Sequence, residues 1–331
     1  MKRREIGNSG IEASELSMGA WAIGGGTWWG ENDDAMSIRT ILTALDRGIN
    51  WIDTARVYGF GHSEEIVGKA VKGRRHDVIL STKCGIQWYD SNGEFHFEKD
   101  GHMVSRDLSP KAIRRDLELS LKQLGTEYID IYYTHWQCKT FGLVPIEDTM
   151  GELMKMKKEG KIRAIGASNV ELRHMQEYVR YGELDVIQEK YSMLDRKIET
   201  ELLPFCEKHH ITLQTYSPIE QGLLTGKISN DYKVKPGEAR ENKFWWKPEN
   251  IKIANEMLSG WKDLTEKYQC SIGNLVIKWT TMRSPQFNVL CGARKVEQMK
   301  ENAESADILL EKDDFARMQK DADAAITRSM V

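Results

Sequence analysis

Asn50-Trp-Ile-Asp53 and Asp77-Val-Ile-Leu-Ser-Thr-Lys83 are two short runs with apolar centres, and the helix-forming Ser63-Glu-Glu-Ile-Val-Gly-Lys-Ala-Val-Lys72 lies between them. Gly73 stands where that helix should stop. Strand, helix and strand in this order predict parallel pairing through a right-handed crossover. The alternation continues in both directions. Upstream, a strand at 16–21 precedes a helix at 33–48, in which Ile38, Ile41, Leu42 and Leu45 fall on one face. Downstream, strands at 128–135, 161–167, 184–189, 211–215 and 287–291 alternate with helices at 110–124, 146–159, 172–181, 200–209 and 295–305. Ser109-Pro110 reads as an N-cap with Pro at the first helical position, and Gly48, Gly125 and Gly160 as helix ends.

Strand–helix alternation fits a doubly wound sheet or a closed barrel, and the count of eight selects the α/β (β/α)8 TIM barrel. Strand ends near 19, 53, 83, 135, 167, 189, 215 and 291 leave two long intervals, after strands three and seven. In a barrel such loops emerge on the C-terminal face, where barrel enzymes keep their active sites. The first loop contains Asn92-Gly93, which predicts a hairpin there. The second contains Trp245-Trp246. With no repeat and no Pro/Ser-rich linker, residues 1–331 read as one barrel domain despite a length that also suits two.

Forty-seven Lys and Arg against fifty Asp and Glu give a net charge of −3, with no basic excess for nucleic acid. No apolar stretch approaches the roughly 20 residues of a membrane span. The N-terminal Met-Lys-Arg-Arg-Glu-Ile-Gly lacks the apolar segment of a secretory signal. Five scattered cysteines without C-x-x-C suggest reduced thiols and a cytoplasmic protein. Ten tryptophans stand out.

The familiar phosphate loops are absent. Gly59-Phe-Gly61 has Glu64 where G-x-G-x-x-G needs glycine, and Gly226-Lys227 lacks the rest of a P-loop. Gly166-Ala-Ser-Asn-Val170 is not a nucleophile elbow, and the adjacent His209-His210 cannot share a metal from one helix. No metal site is expected.

Asp53, Tyr58, Lys83 and His135 lie at or just beyond the ends of strands two, three and four. A barrel brings these ends together, and Asp53–Lys83 is the pair that makes burial of either charge tolerable. A lysine beside a tyrosine is expected to lower the phenol pKa, making Tyr58 an acid/base. A histidine can polarise a carbonyl oxygen. Singly, each residue has a structural reading, because barrels bury paired polar groups. Four matched groups on three consecutive strand ends point to protonation of a carbonyl oxygen.

The run Asn50-Trp-Ile-Asp-Thr-Ala-Arg-Val-Tyr-Gly-Phe-Gly-His-Ser-Glu-Glu-Ile-Val-Gly68 resembles the signature of the aldo-keto reductases. So do Ser81-Thr-Lys83, the segments 128–136 and 159–169, Tyr216 through Lys227, and Gly292-Ala-Arg-Lys-x-x-Gln298-x-x-x-Asn302. Details resemble the bacterial subgroup with inositol-pathway and general-stress reductases. The resemblance implies a TIM barrel with an N-terminal β-hairpin and NADPH/NADP+ extended over the C-terminal face. It implies Tyr58 as proton donor, Lys83 and Asp53 as its support, and His135 at the substrate carbonyl. Ser168, Asn169 and Gln188 would hold the nicotinamide carboxamide, with Tyr216 stacked on the ring. Ser217, Gly222, Leu223 and Lys227 would line the pyrophosphate. Gly292 would belong to the cofactor site, Arg294 would meet the 2′-phosphate, and Gln298 and Asn302 would lie at the adenine.

Gly222 and Gly226 suit close backbone approach to phosphate, while Ser168-Asn169 also reads as a helix cap and Arg294 as a surface charge. Gln137-Cys138 replaces a common Pro-Asp, and Glu220 replaces a small residue, so both could reshape the mouth. Trp21, Trp28, Trp29, Trp88 and Trp136 are the expected substrate-binding aromatics, with Trp245 and Trp246 in a nearby loop. The expected substrate is a small carbonyl compound, sugar- or polyol-derived. Two alternatives stay open: a regulatory barrel subunit with weak catalysis, and an aldolase-like barrel with Lys83 as Schiff-base lysine. Oligomeric state is not readable.

Overall fold

Eight parallel strands close into a barrel in sequence order: β1 (Leu16–Gly19), β2 (Trp51–Asp53), β3 (Ile79–Cys84), β4 (Ile129–Thr134), β5 (Ile162–Ser168), β6 (Val186–Lys190), β7 (Thr212–Tyr216) and β8 (Phe287–Gly292). The computed structural model describes residues 1–90 and 92–330. All eight strands fall where the apolar runs predict them, because a strand buried on both faces reads as a continuous apolar segment. Helices Pro110–Leu124 and Leu172–Tyr181 keep their predicted bounds, and the Ser109 hydroxyl accepts from the Ala112 amide.

Strands Arg3–Glu5 and Glu12–Ser14 form the expected N-terminal hairpin. Ile6, Ile11 and Ala13 pack on Trp51, Ile79, Ile131, Ala164 and Val186 at the strand beginnings, which closes that end of the barrel. A cleft of about 450 Å³ lies outside this plug, among Arg3, Arg74, Asp130 and Arg163. Arg163 and Arg74 are already paired there, with Asp130 and Asp46.

The loop after β3 folds into a three-stranded sheet, Ile86–Gln87, Glu94–Lys99 and His102–Arg106. Its tight turn is Asp100-Gly101, with φ of 51° and 76°, and not the predicted Asn92-Gly93. Two consecutive positive φ values are what a two-residue hairpin turn requires, and both dipeptides can supply them. Pairing between Lys99 and His102 decides in favour of the second.

The interval after β7 is also not all mouth. Helices Pro248–Ser259 and Lys262–Tyr268 fold back against the C-terminal helix Lys312–Ser329, and Trp261 Nε1 donates to Asp321 at 2.9 Å. Trp245 and Trp246, each 4 % exposed, are buried beneath this loop, where their indole nitrogens donate to the carbonyls of Leu194 and Glu220. They brace the loop from within. Among the described residues no helix is long and apolar enough to cross a membrane.

Candidate active site

The barrel register brings the four sequence-selected residues to one place. Asp53 is level with Gly19 on one side and Ser81 on the other. Lys83 lies two residues beyond Ser81 and therefore points the same way, into the barrel. Lys83 is 1 % exposed and its Nζ donates to Asp53 Oδ2 at 2.6 Å and to the Thr54 carbonyl at 2.7 Å. Asp53 Oδ1 accepts from Ser81 at 2.7 Å and from Gln188 Nε2 at 3.1 Å. Buried and bonded to Asp53 and Thr54, Lys83 is not open to attack on a substrate carbonyl, which argues against a Schiff-base role.

Tyr58 sits in the turn after β2. Gly59 there has φ of 60°, and a side chain on it would run into the Gly24 carbonyl, so two loops meet backbone to backbone beside the phenol. Lys83 Nζ lies 5.0 Å from the Tyr58 ring centre, and the His135 ring lies 5.7 Å from it, edge to face. The expected lowering of the phenol pKa is not what the structure holds. Burial first, then the Asp53 carboxylate, push Tyr58 well above its ordinary value. Lys83, paired with Asp53, does not outweigh these two effects in the resting site. Burial also lowers Lys83, against the pull of Asp53, and holds His135 well below its ordinary value. Tyr58 is thus a protonated phenol beside a neutral imidazole.

Four further predicted residues converge on the same point. Asn169 Nδ2 donates to the His135 carbonyl and to Ser168 Oγ, each at 3.0 Å, while its Oδ1 accepts from the Tyr216 hydroxyl at 2.9 Å. The Ser168 hydroxyl donates to the Gln188 carbonyl at 2.8 Å. Helix Leu172–Tyr181 is capped instead by Glu171 and His174, so Ser168-Asn169 is not its cap. Gln188 turns inward, donating to Gln214 Oε1 at 2.6 Å as well as to Asp53.

The outer residues are more dispersed. Ser217, Glu220, Gln221 and Gly222 all have positive φ, and this tight turn carries Leu223, which is buried. Lys227 pairs with Glu301 at 2.8 Å. The Arg294 guanidinium donates to the carbonyls of Trp29, at 2.6 Å, and Glu31. The Arg294 amide donates to Gln298, and Asn302 Nδ2 to the Gly292 carbonyl at 3.3 Å. Glu220 does not face the groove either: its buried carboxylate accepts from Ser192 at 2.6 Å and meets Lys190 at 3.2 Å. Gln137 is likewise internal, bonded to Thr134 and Tyr178. Trp21, Trp28, Trp88 and Trp136 line the mouth with Tyr58, Phe60 and Phe97, and Trp29 packs edge-on to Trp21 at 5.1 Å. Cys84 is a buried thiol with its pKa raised by burial, so it is no nucleophile.

Sequence reasoning missed two groups here. Arg240 approaches Gly222, and its Nε is buried without a hydrogen-bond partner among the described residues. A donor in that state beside a tight turn of positive-φ residues fits an anionic diphosphate, and with the Asn169–Tyr216 pair the residues present fit a nicotinamide dinucleotide. Glu189 is the other. Its carboxylate accepts from the Val170 amide at 2.7 Å and so pins the Ser168–Asn169 turn from outside the barrel. It could have been found as a charge closing an apolar run, the signal that exposed Asp53 and Lys83.

Burial pushes Glu189 up to about 8. The folded state therefore holds a proton that the unfolded state releases between the ordinary carboxylate range and pH 8. Stability from this proton is full at the acid end and lost as pH rises through 8, by at most about 1.4 kcal/mol per pH unit. Glu189→Gln keeps the acceptor and should flatten that slope, read as urea midpoints at pH 6 and 8.5. An unchanged slope would count against the assignment.

The Aldo/keto reductase family model matches residues 15–322. The chain is 46 % identical to the NADH-specific methylglyoxal reductase of Escherichia coli (strain K12), over 100 % of this chain and 98 % of that protein. It is 36 % identical to aldo-keto reductase YhdN of Bacillus subtilis (strain 168), over 100 % of this chain and 95 % of that one. The glycerol dehydrogenase AKR11B4 of Gluconobacter oxydans superposes with a TM-score of 0.86 at 33 % identity, covering 99 % of this chain and 95 % of that structure. A barrel of eight strands with Asp53, Tyr58, Lys83 and His135 at its C-terminal end, and a family match over nearly its whole length, make this chain a member of the aldo/keto reductase family of oxidoreductases.

Proposed function

We propose that this protein reduces a small polar aldehyde or ketone, sugar- or polyol-derived, with NADPH as cofactor and Tyr58 as proton donor, in a cytoplasmic setting. The observation that carries this reading is the Tyr58 phenol edge to face with His135 above the buried Lys83–Asp53 pair, where burial raises the phenol pKa and lowers that of the imidazole. A bound nicotinamide dinucleotide supplies the hydride. Asn169 and Ser168 would hold its carboxamide, Tyr216 its ring, and Arg240 with the turn at Gly222 its diphosphate. His135 donates a hydrogen bond to the substrate carbonyl oxygen, which draws charge onto that oxygen. Tyr58 delivers its proton there as the carbon is attacked. The nascent phenolate is stabilised by Lys83, whose ammonium lies 5.0 Å from the ring centre. Oxidation of the alcohol runs the same steps backwards.

A second reading, NADH as cofactor, is favoured by one observation. Arg294, the expected 2′-phosphate ligand, is engaged with the carbonyls of Trp29 and Glu31. A 2′-phosphate would have to replace those two bonds, whereas a ribose hydroxyl leaves them intact. The relative at 46 % identity is named NADH-specific. Steady-state rates with NADPH and NADH on methylglyoxal, glyceraldehyde and inosose-type ketones test both readings. If Arg294 meets a phosphate, Arg294→Ala should raise KM for NADPH by about tenfold or more, the weight of a charge-assisted pair. An NADH preference that Arg294→Ala leaves unchanged supports the second reading. Tight dinucleotide binding without turnover of any carbonyl would overturn the enzymatic function and favour a binding role.

A further inference from the structure

We propose that His96, on the sheet inserted after β3, donates a hydrogen bond to a second substrate oxygen on the carbon next to the reacting carbonyl. This makes short carbonyl compounds with an adjacent oxygen the preferred substrates, and it rests on the reductase reading above. His96 lies on strand Glu94–Lys99, and Arg106 lies on the paired strand His102–Arg106. Arg106 is 9 % exposed, its guanidinium stacks over Trp136 at 4.8 Å, and its Nη1 donates to the Gln137 carbonyl at 2.8 Å. Its Nη2 meets His96 Nδ1 at 3.1 Å. A guanidinium only donates, so Nδ1 is the acceptor and the ring proton sits on Nε2.

That tautomer turns the half-buried ring into a fixed donor. Burial and the Arg106 charge hold His96 down at about 4, so it stays neutral through the working pH range. The ring packs against Trp136 at 5.6 Å, and Trp136 directly follows His135 and shares one apolar cluster with Tyr58 and Trp88. His96 and Arg106 are close enough to His135 to help keep it neutral. The inserted sheet is also anchored where it matters. The Glu94 carboxylate accepts from the Thr140 hydroxyl at 2.8 Å, and Lys139 Nζ donates to the Phe95 carbonyl at 2.7 Å. His96 is thereby fixed against the loop that carries His135.

Arg106 Nε is buried without a hydrogen-bond partner among the described residues. His96 Nε2 is left as a donor with no bonded acceptor among the described residues, beside Trp136 and the loop that carries His135. An acceptor oxygen matches such a donor and a hydrocarbon does not. That oxygen could belong to a second carbonyl or to a carboxylate, and the test separates the two.

The test compares kcat/KM for methylglyoxal, pyruvate and propanal, which share three carbons, in the wild type and in His96→Leu and His96→Gln. Loss of one neutral hydrogen bond should lower methylglyoxal turnover in His96→Leu by about tenfold relative to propanal. His96→Gln, which keeps an N–H donor, should recover most of that loss while propanal stays within about twofold throughout. A selective loss on pyruvate instead assigns this donor to carboxylates. Equal losses on methylglyoxal and propanal, or no loss on either, overturn the proposal. A wild type that reduces neither these three nor glyceraldehyde and inosose-type ketones with either dinucleotide overturns the reductase reading itself, whereas reduction of the latter two without any of the three overturns the His96 proposal alone.

Discussion

Tyr58→Phe should lower kcat for carbonyl reduction by a factor of about 10²–10⁴, the usual contribution of a positioned general acid. The substitution removes one oxygen and keeps the ring that packs against Trp21 and His135. Folding, and quenching of tryptophan fluorescence by added dinucleotide, should therefore be retained. The wild-type pH profile for reduction should show no limb from His135 near its ordinary value, because burial, with Lys83 second, keeps this imidazole neutral well below that range. Tyr58 itself stays protonated on the alkaline side for the reason given by its burial. A kcat within about threefold of wild type would show that the proton comes from elsewhere, since even the low end of the expected range is far larger.

Asp53→Asn should produce the largest loss of stability. Lys83 and Asp53 are both buried, and Nζ–Oδ2 is 2.6 Å. Removing one partner leaves a buried charge with no match, which costs about 3–5 kcal/mol. The remaining ammonium can lose its proton, for burial already lowers its pKa and Asp53 is what resists this. Either outcome weakens the support for a Tyr58 phenolate, so turnover falls with stability. The double variant Asp53→Asn/Lys83→Met should regain much of the unfolding free energy and none of the activity, because no charge is left to desolvate. Urea unfolding and steady-state rates of the three proteins decide this. A double variant as unstable as the single one would mean that packing, not charge, accounts for the loss.

Glu189 and Arg240 show why part of the site escaped sequence reading. Glu189 follows Gln188 in β6, but its role depends on the Val170 amide nineteen residues upstream, just beyond β5, and adjacency of β5 to β6 is a property of the closed barrel. Arg240 lies in a long irregular interval with no periodic pattern, so nothing local ties it to Gly222. Asp53, Lys83 and His135 were legible for the opposite reason. Each is a polar group terminating an apolar strand, and barrel geometry alone gathers strand ends. The Trp245-Trp246 pair misled because its position in a loop after β7 suggested the mouth, whereas the indoles satisfy buried carbonyls under that loop.

The sequence by itself determined eight strands, their order and the residues at their ends, because apolar runs and helix punctuation are local signals that parallel closure turns into one topology. It also carried the family, through motifs spread along the chain. Only the tertiary structure decided the charge states and the allegiances of long side chains. Lys83 pairs with Asp53 and does not outweigh the burial of Tyr58 in the resting site. Arg294 holds the Trp29 loop, Lys227 holds Glu301, and Arg106 sets the tautomer of His96. Such choices depend on burial and on partners distant in sequence, and desolvation has no signature in a string of residues.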